Sequence, residues 1–187
     1  MIRTLFTALL AAVLFAAPAA AQAPIPGLVP PPQVAADPAN RWTLTLSNGG
    51  TVTILLRPDL APGHVARIRE LTRARFYDGL TFHRVIPGFM AQGGDPQGDG
   101  QGGSPLPDLK AEFSQVPFLR GTVGAARAQS PDSANSQFFV MLAYNASLDG
   151  DYTVMGRVIS GMDAVDRIAP GEPPAEPTKI VSATIGG

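Results

Sequence analysis

The amino-acid sequence predicts a mainly β domain whose short strands form either a closed barrel or a sandwich, with two helices covering its ends. One hairpin pattern, two helical patterns and six further short strand patterns indicate this class. The 187 residues are 45% hydrophobic and 16% charged, which is a globular composition for about one domain. Periodicity alone leaves the choice between barrel and sandwich open.

The first strands form a hairpin. Residues 42–46 and 51–55 alternate apolar with polar side chains, and Asn48-Gly49-Gly50 supplies turn residues between them. Further strands are predicted at 82–86, 89–93, 121–126, 137–142, 153–159 and 180–185.

Two segments have helical patterns. Val65, Ile68 and Leu71 recur at helical spacing within residues 62–76, which predicts an amphipathic helix. A second, short helix fits Met162–Ala169.

The N-terminal 21 residues are typical of a secretory signal peptide. Arg3 supplies an early cation, a short uncharged apolar run follows, and small residues lead to cleavage after Ala21. Cleavage after Ala23 would leave Pro24 at the new N-terminus and is disfavoured. The apolar run is shorter than the roughly 20 residues that span a bilayer. These features predict a periplasmic or secreted protein without a membrane span.

Residues 22–40 contain six prolines among small residues. Proline lacks the amide donor, so this stretch is predicted to be a semi-extended tether without helix or ladder bonds. A recognition motif for a proline-binding groove is the alternative to a plain spacer. The folded domain is predicted to comprise residues 41–187, and the absence of cysteine means that it forms without disulfides.

Charge and residue types exclude several functions. A net charge of −1 gives no electrostatic reason to expect nucleic acid or an anionic membrane as partner. No HExxH or calcium-loop spacing indicates a metal site, and no G-x-S-x-G elbow indicates a serine hydrolase. His64 is predicted to be a solvated helix residue.

A loop rich in glycine and proline holds Asp95, Asp99 and Asp108, which form no obvious carboxylate pair. Its segment 98–103 lacks the Lys-Ser/Thr that follows a phosphate-binding loop. We therefore predict a flexible surface loop.

Three motifs in order resemble the cyclophilin family: residues 82–96, Ser136-Gln137-Phe138-Phe139 and Leu148-Asp149-Gly150. The run 133–139 is similar to the bacterial exported branch, and the resemblance covers residues 41–187. It implies a closed antiparallel eight-stranded β-barrel capped by two α-helices. It also implies a peptidyl-prolyl cis-trans isomerase that works as a monomer, without cofactor or metal, on proline-containing polypeptides during folding of exported proteins.

This chemistry fits a sequence without an acid–base or metal constellation. Rotation about an X-Pro bond must overcome ~18–20 kcal/mol because it breaks amide resonance. Catalysis needs an apolar pocket for the ring and a donor that favours the twisted amide.

The resemblance implies a role for each of nine residues. Arg84 matches the catalytic arginine, and Gln92 matches the glutamine that orients it and contacts the substrate backbone. The other implied positions take the proline ring or line the extended substrate: Phe89, Met90, Ala126, Arg127, Phe139, Leu148 and Tyr152. His83, beside the arginine, is expected to be structural.

One local pattern conflicts with these roles. A tight turn at Ile86-Pro87-Gly88-Phe89 would pair Arg84 with Ala91 and put Gln92 on the opposite face of the hairpin. The family roles therefore require a wider or bulged connection.

Two positions depart from the family pattern. Ser147 stands where many eukaryotic cyclophilins carry a tryptophan, which removes an apolar wall from the cyclosporin site. Met155 stands where they carry a pocket phenylalanine, and it keeps volume and apolarity, so proline binding is expected to survive.

Two other functions remain open at this point. A proline-peptide binding module or holdase on the same fold needs the pocket but not the Arg84–Gln92 pair. An unrelated exported hydrolase needs an assembled triad, metal set or carboxylate pair, and none is apparent.

Export is expected to leave Gln22 at the N-terminus of the mature chain. Intact-mass measurement of protein recovered from the cell envelope tests this expectation. A chain that still begins at Met1 would contradict both the signal peptide and the predicted localisation.

Overall fold

A computed structural model of the chain describes residues 24–186, so the predicted signal peptide lies outside the described residues. Eight antiparallel strands form one sheet that curls into a half-barrel. The strands are β1 (Arg41–Leu46), β2 (Thr51–Leu56), β3 (Phe82–Ile86), β4 (Met90–Gly93), β5 (Thr122–Ala125), β6 (Phe138–Met141), β7 (Val154–Ser160) and β8 (Ile180–Ile185).

The strand order is β3-β4-β6-β5-β7-β2-β1-β8. The predicted first hairpin is confirmed, with Leu44 opposite Val52. The other six strands also lie where the sequence predicts them, to within a residue at most ends. The predicted mainly β fold is therefore confirmed. Burial alternates along β1 and the first half of β2, so one face of these strands points into the core.

The two edge strands approach each other at one end. The Gly79 N–H donates to the Ile180 carbonyl over 2.7 Å, and the Ile180 N–H donates to the Leu80 carbonyl over 2.8 Å. The Phe82 N–H donates to the Thr178 carbonyl over 2.9 Å. The segments around the starts of β3 and β8 are thus joined by backbone hydrogen bonds.

Within residues 24–186, three α-helices accompany the sheet: α1 (Pro32–Ala36), α2 (Pro62–Arg73) and α3 (Met162–Asp166). Helix α2 buries Val65, Ile68 and Leu71, as predicted. Helix α3 ends three residues before the predicted Ala169, which precedes Pro170 and is therefore disfavoured in the helical conformation.

The proline-rich stretch differs from the prediction. The expectation that it forms no helix is wrong for α1, because Pro32 occupies the first helical position, where no amide donor is needed. The stretch also packs on the domain: Arg57 Nη2 donates to the Gly27 carbonyl over 2.7 Å. Arg69 bonds the Ala39 carbonyl and the Asn40 side chain.

Aromatic rings fill the centre of the half-barrel. Trp42, Phe82 and Phe138 are almost completely buried, as is Tyr77. The Trp42 and Phe138 rings meet edge to face, with centroids 4.9 Å apart, a favourable geometry for aromatic quadrupoles. This core supports the strands that carry the site.

The prediction for His64 is wrong. Its side chain is 2% exposed, and Glu112 packs against the start of α2 beside it. The Glu112 carboxylate accepts from the Gly63 and His64 N–H groups, each over 3.0 Å, and contacts His64 Nδ1 over 2.6 Å. Burial alone would raise the pKa of Glu112, but these hydrogen bonds outweigh it and hold the pKa below its ordinary value.

Glu112→Gln is expected to lower the free energy of unfolding at pH 7 by about 1.5–3 kcal/mol, the contribution of hydrogen bonds to a charged group. A lowered folded-state pKa contributes stability above the unfolded-state value and loses it in acid. The difference between wild type and variant should therefore shrink below about pH 4.3.

Urea denaturation across this pH range measures that difference. Exposed Glu176 supplies the matched control, and Glu176→Gln should leave stability nearly unchanged. A difference between Glu112→Gln and wild type that stays constant with pH would contradict the role of the Glu112 charge.

Candidate active site

One cavity of about 520 Å³ opens beside β3, β4 and β6. All nine residues that the sequence predicts for the site line it: Arg84, Phe89, Met90, Gln92, Ala126, Arg127, Phe139, Leu148 and Tyr152. The rest of the lining comes from His83, from residues 98–101 and from Glu172 and Pro173. The structure thus gathers residues from five distant segments of the chain.

The β3–β4 connection resolves the conflict in register. Ile86 pairs with Met90, so three residues form the loop rather than two, and Arg84 lies opposite Gln92. The Phe89 N–H donates to the Ile86 carbonyl over 3.0 Å, and Gly88 has a φ of 72°, as a turn with proline then glycine at its centre requires. Arg84 and Gln92 therefore share one face.

Stacked aromatic rings form the apolar end of the cavity. Phe139 is 5% exposed and Leu148 is 8% exposed. Phe139 stacks on Phe118 with ring centroids 5.6 Å apart. Gly124 permits this stack, because a Cβ at that position would lie 2.4 Å from the Phe139 ring and 2.6 Å from the Phe118 ring.

Phe118 was not predicted from the sequence, although it completes this end. Its N–H donates to Asp149 Oδ1 over 2.7 Å, and Tyr144 bonds the other oxygen of the same carboxylate. The aspartate of the Leu-Asp-Gly motif thus anchors a ring that lies under the site. Phe118 lies outside the three motifs, so the sequence carried no signal that pointed to it.

Arg127 and Tyr152 form one side of the cavity mouth. The Arg127 guanidinium carbon lies 4.5 Å from the Tyr152 ring centroid, within the range of a cation–π contact. Arg127 also donates to the carbonyls of Ala128, Gln129 and Asp151. This network fixes both side chains at the rim.

The polar end differs from what the resemblance implies. Arg84 Nε donates to Glu172 Oε2 over 2.7 Å, whereas Gln92 Nε2 donates to Gln137 Oε1 over 2.8 Å. Among residues 24–186, no hydrogen bond joins Gln92 to Arg84, so the expected orienting contact is absent. Sequence analysis missed Glu172 because its segment matches no motif.

The predicted surface loop lies at the surface, and its residues 98–101 also line the cavity, which the sequence analysis did not predict. Asp95, 1% exposed, organises this loop by accepting N–H bonds from Gln97, Asp99 and Gly100 over 2.8, 3.1 and 2.6 Å. Burial alone would raise the pKa of Asp95, but the backbone N–H groups of Gln97, Gly100, Gly102 and Gly98 outweigh it and lower the pKa.

Gln137 connects this loop to the predicted site. Its Nε2 donates to the carbonyls of Gly100 and Gly102, while its Oε1 accepts from Gln92. The glutamine of the Ser-Gln-Phe-Phe motif thus holds the loop beside Gln92.

His83 lies on the cavity wall beside Arg84. It is 5% exposed, and neither ring nitrogen has a hydrogen-bond partner within the described part of the chain. Burial lowers the pKa of His83, and the nearby Arg84 lowers it further against the opposing charges of Asp95 and Asp99. A lowered pKa favours the neutral ring.

The two departures from the family pattern have different surroundings. Met155 is 2% exposed and packs in the central core, so the expectation that it lines the pocket is wrong. Ser147 is exposed on the short turn before Leu148, and its hydroxyl donates to Asn145 Oδ1 over 2.7 Å. The loss of a large side chain therefore affects the rim rather than the deep pocket.

Comparison with known proteins decides the family. The model described as "Cyclophilin type peptidyl-prolyl cis-trans isomerase/CLD" matches residues 42–185. The chain belongs to this family of cyclophilin-type peptidyl-prolyl cis-trans isomerases. The match spans every strand of the sheet except the first residue of β1.

Individual relatives agree with this assignment. A Brucella suis protein named "Probable peptidyl-prolyl cis-trans isomerase" is 54% identical over 81% of this chain and 85% of its own length. Peptidyl-prolyl cis-trans isomerase B of Bacillus subtilis is 41% identical over 68% and 89%. The crystal structure of cyclophilin AquaCyp293 from Hirschia baltica superimposes with a TM-score of 0.73 at 30% identity, covering 80% of this chain and 74% of that chain.

The described part of this cyclophilin contains neither a cluster of potential metal ligands nor a membrane-spanning helix. Within residues 24–186, no three His, Asp or Glu side chains lie close enough to form a metal site. In the same range, no helix combines the length and hydropathy that crossing a membrane requires.

Ser147→Trp is expected to increase inhibition by cyclosporin about tenfold while changing turnover little. A tryptophan beside Leu148 would bury about a third of its own ~150–250 Å² surface against the inhibitor. That burial would contribute roughly 1–2 kcal/mol to the free energy of binding. The small proline ring needs only the deeper walls. Inhibition curves for both proteins, beside turnover on one peptide, test this, and tight inhibition of the wild type would contradict it.

Proposed function

We propose that this cyclophilin accelerates X-Pro isomerisation in exported polypeptides, with Arg84 as the catalytic residue. The observation that carries the proposal is the division of one cavity into a buried apolar end and a cationic end. Phe139 and Leu148 lie at the apolar end, and the Arg84 guanidinium lies at the cationic end.

The apolar end suits a proline ring. Met90, Phe139 and Leu148 are 2%, 5% and 8% exposed, so a proline ring that packs against them is shielded from water on that side. Burial of the ring's methylene groups, at about 0.8 kcal/mol each, anchors the proline while the preceding residue stays in the open groove. Restraint on one side of the bond is what rotation about it requires.

The cationic end suits the twisted amide. As the X-Pro bond rotates, resonance is lost and the delocalised electron pair becomes a localised lone pair on the imide nitrogen. A guanidinium donor stabilises that lone pair and the neighbouring prolyl carbonyl more strongly in the twisted state than in either planar isomer, which lowers the barrier. Arg84 lies on the same face as Gln92, and we assign to Gln92 a contact with the substrate backbone.

The rim guides the extended chain on either side of the proline. Ala126 and Arg127 follow β5, and Tyr152 lies against Arg127. The Ala126 N–H already donates to the Gln137 carbonyl over 3.0 Å, so we assign the contact with substrate to other backbone groups of this segment.

The export and assembly features belong to the same proposal. We infer cleavage after Ala21 and a periplasmic or secreted location from the N-terminal sequence. The segment 22–40 would then remain as an N-terminal extension of the domain at 41–187. We further infer that the hydrogen bonds between the starts of β3 and β8 close the sheet into a barrel. Because one chain supplies the whole cavity, a monomer suffices for turnover.

A proline-binding holdase on this fold is the competing function. It would use the apolar end alone, and the cationic end would be dispensable. The two functions therefore differ in what removal of Arg84 does to turnover and to binding.

Arg84→Ala is expected to reduce kcat/KM on a short X-Pro peptide at least tenfold, because a hydrogen bond to a charged group is worth about 1.5–3 kcal/mol. A protease-coupled assay measures the rate. Arg167→Ala, which removes an exposed arginine paired with Asp163, is the control and should keep wild-type turnover. Near-normal turnover by a folded Arg84→Ala protein would refute the mechanism.

A further inference from the structure

Glu172 contacts the proposed catalytic arginine, although it belongs to none of the recognised motifs. It lies in the connection between α3 and β8, 88 residues from Arg84. Its carboxylate oxygen accepts from Arg84 Nε over 2.7 Å, and both side chains line the cavity.

The geometry of this contact leaves the reactive end of Arg84 available. Only Nε is bound, and within residues 24–186 no hydrogen-bond partner contacts Nη1 or Nη2. Binding at Nε restrains the rotation of the guanidinium plane, because the group is planar and its donors form a rigid fork. The two terminal nitrogens then keep a fixed direction relative to the strand.

Within the described residues, no second hydrogen bond or ion pair restrains Arg84. Gln92, which faces Arg84 across the hairpin, donates instead to Gln137. Packing restrains the Arg84 side chain only in part, because 42% of it is exposed. An arginine this exposed would otherwise sample several rotamers.

We propose that Glu172 is the positioning residue for Arg84: it holds the guanidinium by Nε so that the terminal nitrogens point at the substrate. This inference rests on the proposed function. The Glu172 side chain is itself 53% exposed, and exposed ion pairs are weak. Its effect should therefore be a modest change in kcat rather than a change in stability.

Three variants separate positioning from other roles. Glu172→Ala should lower kcat about two- to fivefold with KM little changed, which matches the strength of a half-exposed ion pair. Glu172→Gln should recover most of this loss, since its amide oxygen still accepts from Nε. In the Arg84→Ala background, Glu172→Ala should cause no further loss, because a residue that acts through Arg84 has nothing left to position.

The matched control is Asp166→Ala. Asp166 forms an ion pair with Arg120 over 2.6 Å, and this pair is about as exposed as the Arg84–Glu172 pair. It lies away from the cavity lining. Its removal should leave kcat and KM unchanged, and all variants should melt within a few degrees of wild type.

Correlation of the arginine Nε–H resonances by NMR tests the contact without any turnover. The Arg84 Nε–H signal should shift or broaden in Glu172→Ala and stay near its wild-type position in Glu172→Gln.

Wild-type or higher kcat in Glu172→Ala would overturn the inference, and higher kcat would mean that Glu172 competes with substrate for Arg84. An equal loss in the Arg84→Ala background would also overturn it. Failure of the proposed function has a different signature, namely a wild type without isomerase turnover or an Arg84→Ala protein with full turnover.

Discussion

The register of the β3–β4 hairpin determines what the rest of the site can do. Side chains on a strand alternate between faces, so a shift of one residue sends Gln92 to the opposite face from Arg84. The three-residue loop after Ile86 prevents that shift. Gly88, at a φ of 72°, adopts the turn conformation without the strain that a side chain would bring.

From that register, the site is assembled by contacts between distant segments. β4 pairs with β6, which sets Gln92 beside Phe139, and β6 pairs with β5, which sets Gly124 beneath the Phe139 ring. Asp95 and Gln137 then fix the glycine-rich loop along the other wall. The apolar and cationic ends of the cavity thus depend on pairing within one sheet.

The sequence predicted the strands and nine of the residues that line the cavity, because the strands have local patterns and the nine residues match family positions. Alternation and turn residues predicted β1 and β2, and the contiguous motif at 82–96 indicated Arg84. The missed features depend on tertiary contacts. Glu112 buries His64 from 48 residues away, and Glu172 reaches Arg84 from a segment without a motif. Met155 was matched to a family position that carries a pocket phenylalanine, whereas in the structure it packs in the central core.

The central claim is that Arg84 drives rotation about the X-Pro bond rather than merely helping to bind proline. Exchange NMR on an X-Pro peptide with catalytic amounts of protein measures interconversion and binding in one sample. We expect Arg84→Lys to keep the peptide-induced shifts of the Phe139 and Leu148 amides, yet to lose most of the exchange enhancement, since an ammonium lacks the planar fork. Wild-type exchange rates in Arg84→Lys would contradict the account.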